Sequence, residues 1–96
     1  MTTRYAVMMT LKKQNLAKSH PIKSSTAAIQ DIELALNSYG FHKAQEGLFI
    51  GNDAVDAVQA VIAVRETSKA YPWLRKCIAE IKMLRIEEIN DLTLAL

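Results

Sequence analysis

The sequence predicts a single α+β domain over residues 1–96, an antiparallel sheet with its helices on one face. Three observations predict this class. Short apolar runs with a two-residue period alternate with longer segments that have the three- and four-residue period of a helix. Glycine and polar breaks separate these segments, and the break at Glu46-Gly47 is short enough for a hairpin. The predicted order is strand, helix, strand, strand, helix, strand.

The first predicted strand covers residues 4–11, an apolar run without helix caps. Successive side chains of a strand point to opposite faces, so the run divides into two sets. One set is Tyr5, Val7, Met9 and Leu11, and the other is Ala6, Met8 and Thr10.

Residues 12–24 are polar and contain a His-Pro pair, so the sequence predicts a loop there. A helix follows, capped by the hydroxyl of Ser24 or Ser25 and ended by Gly40, which accepts a left-handed backbone. Its predicted buried stripe is Ala28, Ile29, Ile32, Ala35, Leu36 and Tyr39.

The remaining elements follow from the same periodicity, capping and turn signals. They are strands at 41–45 and 48–50, a helix from residue 54 capped at Asn52 or Asp53 and ending between 65 and 70, a short helix at Pro72, and a strand at 80–87. This order is that of the ferredoxin-like split βαβ fold, in which the last strand lies beside the first.

The second set of the first strand then lies on a sheet face that no helix covers. Composition supports a cover for it, because 50% of the chain is apolar and only 6% is aromatic, more small apolar surface than one small core hides. A second copy of the chain is the simplest cover. We therefore expect a homodimer with an interface at Ala6, Met8 and Thr10.

Other classes of protein are disfavoured by composition. No apolar run approaches the roughly 20 residues that span a bilayer, and the start of the chain lacks a signal-peptide pattern. Cys77 is the only cysteine, so an internal disulfide is excluded. The sequence therefore predicts a cytoplasmic protein without a membrane partner.

Positive charge is concentrated near the start of the chain. Residues 1–24 carry five basic residues and no acid, within a net charge of +2. Such an arm can bind RNA phosphates by displacing counterions, although a solvated loop is the alternative. The predicted RNA-binding residues are Lys12, Lys13, Lys18 and Lys23 with Lys82 and Arg85 of the last strand. The groove is expected to be bordered by Lys12, Lys13, Lys82 and Arg85. Few aromatic side chains are present for base stacking, so sequence-specific readout is not predicted.

Several side chains have chemistry of their own. His20 is a candidate for proton transfer, with a structural His-Pro turn as the alternative. Glu80 is a candidate carboxylate, with an ion pair to Lys82 or Arg85 as the alternative. Cys77 is predicted to be a core residue. Two histidines without paired cysteines fit no common zinc spacing, so no metal site is predicted.

A set of residues spread along nearly the whole chain has a distinctive order and spacing. It comprises Tyr5-Ala6-Val7, His20-Pro21, Asp31-Ile32, Tyr39-Gly40-Phe41, Gln45, Phe49, Trp73, Ile78, Ile81, Arg85, Glu87, Asp91 and Thr93. In this order and spacing the chain resembles the virulence-associated protein D (VapD) family, small toxin-type ribonucleases of ferredoxin-like fold. That family in turn is related to the small subunit of CRISPR spacer-acquisition complexes.

The resemblance implies a homodimeric endoribonuclease held off by an antitoxin protein. It also implies an aspartate near the end of the first strand, where two copies face each other and could arrange magnesium or acid–base chemistry on a phosphodiester. This chain has Thr10 there, and a hydroxyl is a poor general base and a poor magnesium ligand. Ala79-Glu80 stands for the family's Arg-Asp, which keeps a carboxylate one methylene longer. The candidate catalytic residues are therefore Thr10, His20 and Glu80.

Three functions are compatible with the sequence. The first is a VapD-like endoribonuclease toxin, whose activity is in question because of Thr10. The second is a catalytically silent VapD-like protein that binds a partner protein or nucleic acid. The third is an interaction domain of ferredoxin-like fold whose likeness to VapD is convergent. A ribonuclease assay separates the first from the others.

Overall fold

The computed structural model describes residues 3–21 and 24–96. Its elements are β1 (Arg4–Leu11), α1 (Lys13–Ser19), α2 (Ser25–Asn37), β2 (Phe41–Gln45), β3 (Leu48–Gly51), α3 (Ala57–Ala70), a 3₁₀ helix (Leu74–Cys77), β4 (Ile78–Ile86) and a final 3₁₀ turn (Thr93–Ala95). The four strands form one sheet in the order β2-β3-β1-β4, and every neighbouring pair is antiparallel. The predicted ferredoxin-like arrangement is confirmed, with the first and last strands side by side.

The core lies between the sheet and helices α2 and α3. Val7 and Met9 of β1 are buried in it, as the two-residue alternation predicts. Its other fully or nearly fully buried members are Ile32, Leu36, Phe41, Phe49, Val55, Ala60, Ala63 and Leu74. A second, smaller cluster of Leu16, Ala28 and Cys77 joins α1, α2 and the 3₁₀ helix.

Local signals set several boundaries correctly. The hydroxyl of Ser24 accepts a hydrogen bond from the backbone N–H of Ala27 at 3.2 Å and caps α2. Gly40 has the predicted left-handed backbone, with a φ of 88°, although α2 ends three residues earlier at Asn37, and Gly47 has a φ of 80° in the hairpin. A Cβ atom at Gly47 would lie 2.5 Å from the carbonyl oxygen of Met9, so the turn admits no side chain there.

The loop predicted over residues 12–24 is wrong for its first half, where α1 forms instead. The segment is polar, but Leu16 is completely buried against Ala28 and Cys77. Tertiary burial of this one side chain therefore outweighs the weak local signal.

The predicted start of α3 at residue 54 is also wrong. The side chain of Asn52 accepts a hydrogen bond from the N–H of Ala54 at 3.0 Å and closes a turn rather than a helix. Asp56 provides the cap, accepting from the N–H of Gln59 at 2.8 Å, and α3 begins at Ala57.

The end of α3 at Ala70 and the hairpin strands agree with the prediction, whereas β4 begins at Ile78, two residues before the predicted strand. Within the described part of the chain, no helix has the length and apolar character needed to cross a membrane.

Candidate active site

Within the described residues, one face of the sheet is not covered by a helix, and we call it the open face. It brings Thr10 and Glu80 together. In the antiparallel ladder of β1 and β4, Thr10 pairs with Glu80, and Met8 pairs with Lys82. Directly opposite residues of such a ladder have Cβ atoms about 4.5–5.5 Å apart. Thr10 and Glu80 are both exposed. A carboxylate therefore lies beside the hydroxyl at the position where the VapD resemblance implies an aspartate.

A β-bulge aims Glu80 at this face. The register shifts between Thr10 and Leu11, because Leu11 pairs with Ile78 rather than with Ala79. Ile78 and Glu80 are two residues apart, so a regular strand would point both to the same side. The bulge lets Ile78 pack against the core while Glu80 points to the open face.

Lys82 lies beside this pair on the open face, and Thr10, Glu80 and Lys82 together form what we call the polar corner. Its Nζ lies 2.6 Å from Oε1 of Glu80, and both side chains are more than half exposed. The hydrogen bond to Glu80, and secondly the negative charge of Glu80, raise the pKa of Lys82 above its ordinary value. Lys82 is therefore a permanent cation at neutral pH. An exposed pair of this kind contributes little to stability and opens readily for a competing anion.

The three predicted interface residues differ in exposure. Ala6 is 0% exposed within the single chain, between its cross-strand partners Ile50 and Leu84. Met8 is half-buried and Thr10 is exposed. Surface for a partner on this face is thus provided by Met8 and Thr10, with Ala6 beneath it.

The shared groove predicted for Lys82 and Arg85 is wrong. Arg85 pairs with Tyr5 in the ladder and so lies on the helix-bearing face, opposite to Lys82. Three residues separate the two cations, and an odd spacing along a strand puts side chains on opposite faces. Nε of Arg85 forms an ion pair with Oε1 of Glu87 at 2.8 Å.

Within the basic arm, residues 1–24, Arg4 lies on β1, Lys12 stands at the start of α1, and Lys13 and Lys18 lie on α1. Lys12, Lys13 and Lys18 are exposed, and Nζ of Lys13 lies 3.2 Å from Oε1 of Glu46 in the hairpin turn. Lys23 lies outside the described residues. Lys12 follows β1 directly, so the lysines of the arm begin next to the Thr10–Glu80 pair.

His20 is buried, with only 6% of its surface exposed. Its Nε2 lies 2.8 Å from Oδ2 of Asp31 on α2. Its ring meets the ring of Trp73 edge-on, with centroids 5.0 Å apart. His20 thus joins the end of α1 to α2, whereas Thr10 and Glu80 are exposed on the sheet. Nothing in the sequence indicated that His20 pairs with Asp31, eleven residues later, except that both residues belong to the set whose order and spacing resemble the VapD family.

Cys77 is completely buried and its Sγ lies 3.3 Å from the carbonyl oxygen of Trp73, which confirms the core prediction. Among the described residues, no group of three or more His, Cys, Asp or Glu side chains is arranged to hold a metal ion. Glu80 with Thr10 supplies one carboxylate and one weak oxygen ligand, which is too few for a magnesium site in a single chain.

Known proteins resemble this chain over most of its length. It is 32% identical over 89 residues to "Endoribonuclease VapD homolog" of Neisseria gonorrhoeae, covering 93% of this chain and 94% of the relative. The chain belongs to the VapD family. The "Endoribonuclease VapD homolog" of Helicobacter pylori is 34% identical over 62 residues, which is 65% of each chain.

A third relative, "Endoribonuclease VapD 2" of Riemerella anatipestifer, is 45% identical over 53 residues. This match spans about half of each chain, 55% of this one and 56% of the relative. No protein-family model matches the chain.

Two exposed cations of this VapD chain were missed by the sequence analysis. Arg75 and Lys76 lie on the 3₁₀ helix between Leu74 and Cys77, which are both buried. The signal was present, because two adjacent cations between two buried apolar residues must project outward from a single turn.

Proposed function

We propose that this chain is an endoribonuclease that acts as a homodimer and uses Glu80 as its general base. Its membership in a family whose relatives are named endoribonucleases supports the reaction class. The single observation that carries the residue assignment is the exposed Glu80 opposite Thr10, with Nζ of Lys82 at 2.6 Å. The carboxylate that the resemblance implies at position 10 is thus replaced from the neighbouring strand.

The reaction uses the 2′-hydroxyl of RNA as the nucleophile. Glu80 accepts the 2′-hydroxyl proton while the 2′-oxygen forms a bond to phosphorus, and the bond from phosphorus to the 5′-oxygen breaks. The leaving 5′-oxygen takes up a proton from water, and Glu80 then releases to water the proton that it accepted. The products are a 2′,3′-cyclic phosphate and a 5′-hydroxyl, and no oxidant or cofactor is needed.

Lys82 and Thr10 act on the phosphate. Lys82 exchanges its exposed contact with Glu80 for a non-bridging phosphate oxygen, where a fixed cation offsets the charge that develops in the transition state. This exchange also frees the carboxylate to accept a proton. Thr10 donates a hydrogen bond to the phosphate, a role that a hydroxyl performs well without being a base.

The homodimer covers the open face. Half-buried apolar side chains share this face with the polar corner, and they are Met8, Leu48, Ile50 and Leu84. A stable interface buries about 800 Å² on each partner, a substantial share of the surface of a chain this small. Two copies that meet through this face bring both Thr10–Glu80 corners toward one axis. A protein that occupies the same face instead blocks cleavage, which is the arrangement that a toxin and its antitoxin require.

The test is incubation of the purified protein with a defined single-stranded RNA, in EDTA and in magnesium. We expect cleavage in EDTA, with 2′,3′-cyclic phosphate ends. A matched RNA with one 2′-deoxyribose at the cleaved position should resist, because it lacks the nucleophile. Cleavage of the deoxy-substituted RNA at that position, or an absence of cleavage in both buffers, contradicts the proposal.

A catalytically silent VapD protein that binds RNA is the second candidate. It is favoured by Thr10 and by the closed ion pair of Glu80 with Lys82, which leaves the carboxylate partly neutralised in the free chain. This function predicts a shift of the intact RNA in a gel without cleavage. The same incubation distinguishes the two candidates.

A further inference from the structure

The surface formed by α1 and the 3₁₀ helix Leu74–Cys77 is strongly cationic. Residues 12–19 and 71–79 contain no acid. The two segments are held together by backbone and side-chain hydrogen bonds. The N–H of Lys12 donates to the carbonyl of Cys77 at 2.7 Å, and Nδ2 of Asn15 donates to the carbonyl of Lys76 at 2.9 Å. Their cations, all exposed, are Lys12, Lys13, Lys18, Arg75 and Lys76.

The charge of this surface is largely uncompensated. Within the described ranges, Lys13 is the only one of the five cations that forms an ion pair, and its partner is Glu46 in the hairpin turn. The other four cations gather positive potential on one side of the molecule. Such a patch attracts a polyanion over distances of about 10 Å at 0.1 M salt.

The patch fits a phosphate backbone better than it fits a protein. Among the described side chains of these two helices, the apolar ones Leu16, Leu74 and Cys77 are all buried beneath the patch. Protein interfaces need an apolar or aromatic centre, whereas phosphate contacts need cations alone. Trp73 packs against His20 and Tyr71, with centroids 5.0 and 5.4 Å apart, so it is engaged in the fold rather than presented to a base.

The patch is continuous with the candidate active site. Lys12 follows Thr10 by two residues, and Cys77 directly precedes β4, which carries Glu80. Both ends of the patch therefore reach the same end of the β1–β4 ladder, where the bulge lies.

We propose that α1 and the 3₁₀ helix form a phosphate track that leads single-stranded RNA to Glu80, with Arg75 and Lys76 as RNA-binding residues. This inference rests on the proposed function for its end point. The track reads the backbone and no bases, so RNAs of different sequence and equal length bind with the same affinity.

The experiment uses a double variant, Arg75→Ala with Lys76→Ala, and a matched control, Arg65→Ala with Lys69→Ala on α3. Both variants remove two positive charges, so the net charge of the protein is the same in each. Binding is measured by fluorescence anisotropy of a labelled RNA that carries 2′-O-methyl groups and cannot be cleaved, from 50 to 200 mM salt. A thermal melt of each variant verifies folding.

We expect the Arg75 and Lys76 variant to bind roughly tenfold more weakly and its salt slope to flatten by roughly 1.4, for two lost phosphate contacts on a single strand. Its cleavage rate at saturating RNA should be unchanged, with only the KM raised. The control variant should keep the affinity and the salt slope of the wild type.

Equal binding by the two double variants overturns the track. The track is also overturned if the Arg75 and Lys76 variant keeps its affinity for RNA but no longer binds an acidic polypeptide such as polyglutamate. That result assigns the patch to a protein partner. Because the binding RNA cannot be cleaved, an inactive wild type refutes the proposed function and leaves the binding result intact. Conversely, failure of the track leaves cleavage by Glu80 untouched.

Discussion

Val7 and Met9 of β1 lie buried beneath helices α2 and α3, whereas their immediate neighbour Met8 is half-buried on the uncovered face, next to exposed Thr10. The same strand therefore serves two purposes through alternate residues. Side chains on the covered face stabilise the domain, and side chains on the open face are available for a partner or a substrate. A substitution on the open face can consequently test function without unfolding the chain.

The largest effect is expected on the covered face. Phe49→Ala removes a side chain that is almost completely buried in the core, so the free energy of unfolding should fall by about 3–5 kcal/mol. Lys43→Ala, at the exposed position opposite Phe49, is the matched control and should change it by less than about 0.5 kcal/mol. Denaturant unfolding measures both. A loss below about 1 kcal/mol for Phe49→Ala would contradict the burial described here.

The next effect tests the carboxylate of the open face. Glu80→Gln keeps the shape of the side chain but removes the base, so RNA cleavage should fall about 100-fold or more. Glu87→Gln is the control, because Glu87 is similarly exposed and pairs with Arg85 instead. Unfolding midpoints should be alike in both variants. Equal cleavage by the two would place the base elsewhere, and His20 would be the next residue to substitute.

Association through the open face is tested by charge. Wild-type protein should scatter light as a dimer of the 10.7 kDa chain, and Met8→Glu should dissociate it, because two buried carboxylates would face each other near the axis. Met83→Glu introduces the same charge on the helix-bearing face and should leave the dimer intact. A wild-type monomer at micromolar concentration, or dissociation by Met83→Glu alone, would refute this interface.

A smaller effect is expected at position 10. Thr10→Asp restores the carboxylate that the VapD resemblance implies and should raise the cleavage rate about tenfold, whereas Thr10→Ala removes the hydrogen bond to the phosphate and should lower the rate severalfold. The new carboxylate would repel Glu80, so the dimer should weaken and one of the two groups should have a raised pKa. The acidic limb of the pH profile of cleavage should then shift to higher pH. An unchanged rate and profile in Thr10→Asp would separate this position from the chemistry.

The smallest effect concerns the Lys82–Glu80 pair. Since the pKa of Lys82 is raised in the folded chain, the pair stabilises the fold below the ordinary lysine pKa, and this contribution disappears as pH rises through the raised pKa. The difference in Tm between wild type and Lys82→Met should therefore be constant near neutrality and shrink only at strongly alkaline pH. Lys43→Met serves as the control. A difference that changes between pH 6 and 8 would be inconsistent with this pair.

Local rules predicted much of the fold from the sequence. The cap at Ser24 and the hairpin at Gly47 each depend on one or two neighbouring residues, and the structure has both, whereas α2 ends at Asn37, three residues before the predicted end at Gly40. The alternation of Val7 and Met8 likewise follows from strand geometry alone.

The features that the sequence did not predict depend on contacts between distant parts of the chain. Helix α1 forms because Leu16 finds Ala28 and Cys77, which no window around Leu16 contains. The pairing of Thr10 with Glu80 requires the register and the bulge of β4, and neither is encoded in the pattern of one strand. The position of Arg85 differs from these cases, because its spacing of three residues from Lys82 already predicts that the two side chains lie on opposite faces of the strand.

The β1–β4 ladder has a consequence for biosynthesis. It joins the first strand of the fold to the last, so a nascent chain that has reached only α3 still has an empty edge beside β1 and no Glu80. Such distant pairing forms late, because the whole intervening segment must be closed into a loop first. Under the proposed function, a chain that lacks β4 lacks its general base, so we expect a chain truncated before β4 not to cleave RNA.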